Sequence, residues 1–426
     1  WRYDPENYHG PLPFYLMALA VAIFGKTVFA LRIMQALFGV LIALVALPFR
    51  KHLGRRGFLF ASFLLLFSPS LFYYSLDAIH EIFFAFFSFA SIVFLFSFIE
   101  YKKRKYLYAG AASLAFLFTT KEGAFFVAPA IVVLFFILLL MKARERNTLN
   151  LKLEYLVSLI ICILIFTVIF VTLFSSFFAN IQGVADAFKA PLNWSERMIG
   201  HSGHEKHTLY YLEVLAFSDL PALVLGLLGA FIALRRKNVL MLAVFAFFLL
   251  FLIGASVPKY KVPWGVINFI PPLALLAGYF VENAAKKVKN LELLYSVLAI
   301  VAVFVFWQAM FLGTVKSASH ENKLAYVQTT YEAKHIVERI ELLQNEKNVR
   351  VAVIAKQSSW PLPWWLKRYI VSYYSPASFD TLNISSYDVV LIEAKYRHRL
   401  RGTEKFEEKS FALRPGLAMK AFFRRE

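Results

Sequence analysis

About ten apolar runs, most of them near the length a helix needs to cross a bilayer, recur along the chain between short polar loops. They cover roughly residues 30–49, 58–76, 82–99, 106–120, 124–141, 154–178, 211–234, 239–257, 262–281 and 291–313. Segments this apolar must satisfy their backbone hydrogen bonds internally, and only helices and closed barrels do so in lipid. Runs of this length predict helices, so the expected fold class is mainly α, a polytopic helical membrane protein. Composition excludes a soluble globule: 59% of the 426 residues are hydrophobic, 46 are Phe, and the mean hydropathy is +0.60. One further run, residues 11–25, is shorter. At about 1.5 Å per residue it covers roughly 22 Å, less than the hydrocarbon thickness, and is expected to lie at the membrane surface.

The 46 Lys+Arg exceed the 27 Asp+Glu, giving a formal net charge of +19. In a soluble protein this would suggest nucleic acid. Here no nucleic-acid partner is implied, because the excess falls in short loops: Arg50 to Arg56, Lys102 to Lys105, Lys142 to Arg146, Arg235 to Lys237 and Lys286 to Lys289. By the positive-inside rule these loops face the cytoplasm, so residues 77–81, 119–123, 179–210, 258–261 and everything after about 314 face outward. The single cysteine, Cys162, sits in an apolar run, which rules out a disulfide framework and a thiolate metal cage. The chain starts at Trp1, and an upstream segment with a first spanning helix is expected.

Composition changes after residue 315. Residues 1–315 are read as the multispanning membrane domain and 316–426 as a small extracytoplasmic α/β domain. Leu324 to Leu343 has helical spacing, Val349 to Ala355 and Val389 to Ala394 read as short buried strands, and Phe379 to Tyr387 is rich in turn residues. The Trp-rich segment Gln357 to Tyr369 fits either a seam against the membrane or core packing.

Ionisable groups inside or beside spanning helices are costly, which makes them candidates for function. Tyr73 to Glu81 places Asp77, His80 and Glu81 between two apolar runs, with Glu81 favoured over Asp77 as a base because it abuts the next helix. Lys121 and Glu122 form a second charged pair, read either as functional or as a self-neutralising ion pair capping the following helix. His201, His204 and His207 lie in a Gly-containing stretch without the spacing of a helical zinc motif. They are read as a phosphate-facing loop or as solvated surface; a divalent cation is the one cofactor left open. Lys259 and Lys261, before Pro263 and Trp264, fit either a phosphate site or snorkelling side chains. Acids beside cations on one face suit transfer from a phosphate-linked donor, with a carboxylate taking the acceptor's proton and Lys or His neutralising the leaving phosphate.

Several segments resemble the membrane glycosyltransferases of the GT-C type, a superfamily that includes the dolichyl-phosphate-mannose protein mannosyltransferases and the bacterial aminoarabinose transferases. They are Tyr3-Asp4-Pro5-Glu6-Asn7-Tyr8-His9-Gly10-Pro11-Leu12, then Ala30-Leu31-Arg32 with Ala36 to Gly39, and Ser68-Pro69 before Tyr73-Tyr74-Ser75. Thr120-Lys121-Glu122-Gly123, Lys261-Val262-Pro263-Trp264 and Ser358 to Trp364 look closer still to the archaeal flippase-activity-associated proteins of N-glycosylation. The resemblance covers nearly the whole chain and rests on the order of these segments. It implies a polyprenyl-phosphate sugar donor held among membrane lipids, an external site, inverting transfer, and a glycan, lipid or protein acceptor. It also implies that the main catalytic acid lies upstream of Trp1, that Asp4 and Glu6 belong to the same loop, that His9 faces phosphate, and that Glu81 is the second acid. Leu76 and Ile79 stand where that family carries basic residues near this acid. A protein that assists the movement of a lipid-linked oligosaccharide without chemistry is the alternative from another class. Transporters tend to show internal repeats with broken helices at the midplane, and neither is evident in this sequence.

Overall fold

In a computed structural model, the protein is described at residues 2–6, 9–145, 153–199, 205–346, 348–356, 359–377 and 382–425. It divides into two compact units, Trp1–Val315 and Lys316–Glu426.

The first unit is helical. Seven stretches among the described residues are long and apolar enough to cross a membrane, or eight if the bent pair Tyr210–Ser218 and Leu220–Arg236 counts as one span. This corrects the expectation of about ten. The Arg104–Phe118 helix is too short, the pair at 210–236 bends by 108°, and Val28–Phe67 is one stretch of 40 residues. That stretch consists of Val28–Val45 and Arg50–Phe67, joined through a 3₁₀ turn at Leu47–Phe49 where Pro48 removes a helical donor. The short apolar run forms the helix Pro11–Phe24, started by Pro11 and ended at Gly25 with φ +73°.

Two helices are buried over most of their length, Glu81–Tyr101 and the segment Pro263–Ala285. The first is apolar on every side, as a helix surrounded by other helices must be. Its serines pose no unsatisfied cost where they bond back along the helix: Ser91 donates to Phe87 O at 2.7 Å and Ser97 to Val93 O at 2.5 Å. Both of these central elements bring their N-terminal ends to the site described below.

The second unit is a five-stranded sheet of order β2-β1-β3-β5-β4, with β1 Arg350–Ile354, β2 Ile370–Tyr374, β3 Val389–Glu393, β4 Phe406–Arg414 and β5 Leu417–Arg424. β2, β1 and β3 run parallel, and β5 and β4 add antiparallel. Every residue of β3 is buried because both faces are covered, which is why Val389 to Ile392 read as an unbroken apolar run. One face packs on the Tyr331–Glu346 helix through Ile336, Ile340, Val351 and Leu391. The other buries Ile354, Val390, Ile392 and Phe422. Helix and strands fall where periodicity placed two of them; β2, β4 and β5 were not anticipated, although the Pro415-Gly416 turn between alternating residues is a hairpin signal.

Candidate functional site

The segment before the first helix lies along the loop that follows the Arg104–Phe118 helix. His9 and Lys121 form an antiparallel bridge, Gly10 N donates to Thr120 O at 3.0 Å, and Leu12 N donates to Thr119 O at 2.9 Å. Gly10 is required here because a Cβ would lie 2.3 Å from Thr119 O. Gly10→Ala is expected to lower stability by about 1–3 kcal/mol, the cost of forced overpacking, and to reduce the thermal midpoint. An unchanged midpoint would mean that the two segments separate freely.

This pairing sets the charges in order. Glu81, first residue of its helix and 1% exposed, accepts two hydrogen bonds from Lys121 Nζ, at 2.8 and 3.0 Å. His80 Nε2 stands 3.3 Å from the same carboxylate, and the Lys121 ammonium sits 4.6 Å from the centre of the Phe84 ring. The rings of His80 and His9 are 4.0 Å apart, and His9 Nδ1 is 3.9 Å from Glu122 Oε2, beyond hydrogen-bond reach. Glu122 is 6% exposed, and its Oε2 has no hydrogen-bond partner among the described residues. Burial disfavours the charge on Lys121, but Glu81 and Glu122 beside it outweigh that and hold its pKa above the ordinary value. For Glu122 burial dominates over the Lys121 charge and raises the carboxyl pKa. The self-neutralising pair of neighbours is therefore corrected: Lys121 pairs with Glu81, forty residues away in sequence.

These groups form one end of a cavity of about 630 Å³. Glu6, His9, His80, Glu81, Lys121 and Glu122 make its polar side. Much of the remaining lining is apolar, with Phe126, Val127 and Ala130 from the Ala124–Glu145 helix and Phe247, Leu250 and Phe251 from Val239–Ser256. The 3₁₀ segment Pro263–Phe269 adds Trp264 and Asn268, and Tyr260 and Tyr211, whose hydroxyl donates to Val262 O at 3.1 Å, also line the cavity.

Of the residues singled out in the sequence, His9, Glu81, Lys121 and Glu122 meet in this cavity. Asp77 does not line it; its Oδ1 accepts from Ala78 N at 3.0 Å in the turn. Asp4 is exposed, with Oδ1 accepting from Glu6 N at 3.0 Å. Lys259 is exposed and outside the cavity. Lys261, 1% exposed, donates to Lys206 O at 3.2 Å and Pro258 O at 2.5 Å, and burial lowers its pKa. It thus ties two loops together instead of facing the cavity. His201 and His204 lie outside the described residues. Among the described residues no group of three or more His, Cys, Asp or Glu has the arrangement of a metal site. Tyr211, Tyr260 and Asn268 were not anticipated, since aromatic and amide side chains in an aromatic-rich sequence carry no distinguishing pattern.

Residues 8–170 match the family described as dolichyl-phosphate-mannose-protein mannosyltransferase. An uncharacterized protein of Aquifex aeolicus (strain VF5) is 27% identical over 290 residues, 67% of this chain and 55% of that protein, so the chain spans about half the length of this curated relative. The crystal structure of ArnT from Cupriavidus metallidurans in the apo state superposes with a TM-score of 0.65 at 15% identity, covering 97% of this chain and 87% of the other. The same enzyme bound to undecaprenyl phosphate gives 0.61 at 15% identity, covering 97% and 88%. These matches leave the nearness to the archaeal branch where the sequence left it. The chain is an integral membrane protein with the GT-C fold of ArnT, and its residues 8–170 carry the protein-mannosyltransferase family match.

Proposed function

We propose that the protein is a membrane glycosyltransferase that takes a sugar from a polyprenyl-phosphate donor and passes it, with inversion, to an acceptor hydroxyl or amide on the extracytoplasmic side of the cell membrane. The observation that carries this reading is the mixed lining of one cavity: a cluster of cations and acids together with aromatic and aliphatic side chains. A donor with a phosphate head and a prenyl tail needs both in one site. The fold shared with ArnT, which binds undecaprenyl phosphate, supports the same donor class.

In this reading Lys121, held in place by Glu81, faces the donor phosphate with His9 and His80 beside it. Glu122, whose Oε2 accepts no hydrogen bond from the described residues, takes the acceptor's proton. The bond between the sugar's anomeric carbon and the phosphate oxygen breaks as the acceptor atom bonds to the same carbon from the opposite face. The electron pair leaves with the polyprenyl phosphate, whose charge the Lys121 ammonium offsets. Glu81, bound on both oxygens, suits positioning better than proton transfer. His9→Ala is expected to raise the apparent KM for donor more than it lowers kcat. The test is transfer of labelled sugar from a polyprenyl-phosphate donor by the purified protein in proteoliposomes, with polyprenyl phosphate as competitor. Donor-dependent labelling that the competitor suppresses is expected; the absence of both binding and transfer of the donor would overturn the reading.

Glu122 also fixes the pH dependence. Its raised pKa means that the carboxylate form needed of a base appears only above the ordinary 4.5, so kcat should climb with pH along a limb displaced upward from that value. A limb at or below 4.5 would remove Glu122 from this role.

A further inference from the structure

The far end of the Ile270–Ala285 helix carries a second concave site. Asn268 in the large cavity and Glu282 are fourteen residues apart, so the two sites are separated by roughly 21 Å along a helix. Arg55, Arg56, Leu59 and Glu282 line a groove of about 420 Å³ there. Arg55 and Arg56 are both exposed, and neither has a hydrogen-bond or ion-pair partner among the described residues.

The one acid in the groove is already engaged. Gly54 breaks the Arg50–Phe67 helix with φ +71°, and a Cβ there would lie 2.2 Å from Glu282 Cδ. Glu282, 7% exposed, fills that space: its Oε2 accepts from Gly57 N at 3.4 Å and its Oε1 lies 3.2 Å from Lys286 Nζ. One carboxylate is thus matched to one ammonium and a backbone donor, and two guanidinium groups remain as net positive charge in a concave surface. Leu59, one turn beyond Arg55 and 59% exposed, extends the groove as apolar surface.

We propose that this groove binds the headgroup of an anionic phospholipid, with the phosphate between Arg55 and Arg56 and the start of an acyl chain along Leu59. Guanidinium forks match phosphate oxygens in pairs, and the adjoining apolar residue favours a lipid over free phosphate. The other loop cations at this end, Arg50, Lys51 and Lys287, add long-range attraction but do not line the groove.

The test is native mass spectrometry of the full chain released from mixed vesicles of phosphatidylglycerol and phosphatidylcholine. The wild type should retain phosphatidylglycerol preferentially. Arg55→Gln with Arg56→Gln should lower that preference by roughly fivefold per arginine, on the order of thirtyfold for the pair. Arg55→Lys with Arg56→Lys should keep only part of it. Thermal midpoints of the variants in a neutral detergent, equal to the wild type, establish that they are folded, and Lys287→Gln with Lys289→Gln, two exposed cations outside the groove, serves as a charge-matched control expected to keep most of the preference. Equal retention of the two lipids by wild type would overturn the proposal. So would an unchanged preference in the folded double glutamine variant, or displacement of the lipid by inorganic phosphate at low millimolar concentration.

Discussion

A Glu122→Gln protein is expected to fold and insert as the parent does and to lose transfer by roughly 10²- to 10⁴-fold, the contribution of a positioned general base. The amide keeps the volume of the side chain while removing the basicity of the carboxylate, whose Oε2 accepts no hydrogen bond from the described residues. Stability should not suffer. The pKa of Glu122 is raised above its unfolded value, so the stability it contributes is present below the ordinary 4.5 and lost as pH rises through the folded value. At neutral pH the ionised carboxylate is the disfavoured form in the fold, and Gln at this position should equal or exceed the wild-type thermal midpoint. A folded variant with wild-type kcat would take Glu122 out of the reaction. Glu81→Gln is the companion measurement. If its loss of kcat is the greater, with KM for donor unchanged, the proton acceptor is Glu81 and the assignment is reversed.

The second large effect concerns the pair beneath it. Lys121→Ala removes the cation that donates to both oxygens of a carboxylate 1% exposed. Leaving a buried charge without its partner costs about 3–5 kcal/mol, so this single change should lower the thermal midpoint sharply as well as abolish donor use. Adding Glu81→Gln should restore most of the stability, because a neutral amide no longer requires the ammonium. Transfer should stay lost, since nothing then faces the phosphate. The two substitutions are thus expected to couple strongly in stability and hardly at all in activity. Additive midpoint losses would show that the two side chains do not support one another.

Between sequence and structure, the site divides along instructive lines. Residues 77–81 and 119–123 stand out in the sequence because charges between apolar helices are costly and need a reason, and His80, Glu81, Lys121 and Glu122 of these segments line one cavity. Which charges work together was not. Lys121 and Glu122 are adjacent and look like a pair, yet neighbours in a tight turn project in different directions. The fold sends Lys121 to Glu81 and leaves Glu122 facing the cavity. Lys261 misled in the opposite sense, since its charge and its nearness to Trp264 suggested a ligand, and the structure uses its ammonium to hold two backbone carbonyls. Counting spans by length failed at Arg104–Phe118 and at the bend after Ser218 for a similar reason: apolarity measures affinity for lipid or core alike and does not record direction.

By itself the sequence determined that this chain is a bundle of membrane helices followed by a unit of mixed helix and strand. Transfer free energies and the two periodicities act locally, residue by residue, and need no knowledge of partners. Only the tertiary structure decided that His9, Glu81 and Glu122 share one cavity, that Lys121 binds Glu81 while Glu122 Oε2 accepts no hydrogen bond from the described residues, and that Arg55 and Arg56, without an ion-pair partner among the described residues, lie beside an engaged Glu282. Those outcomes depend on which distant segments pack together, and Coulomb and hydrogen-bond energies that fall off within a few ångströms cannot be assigned until they do.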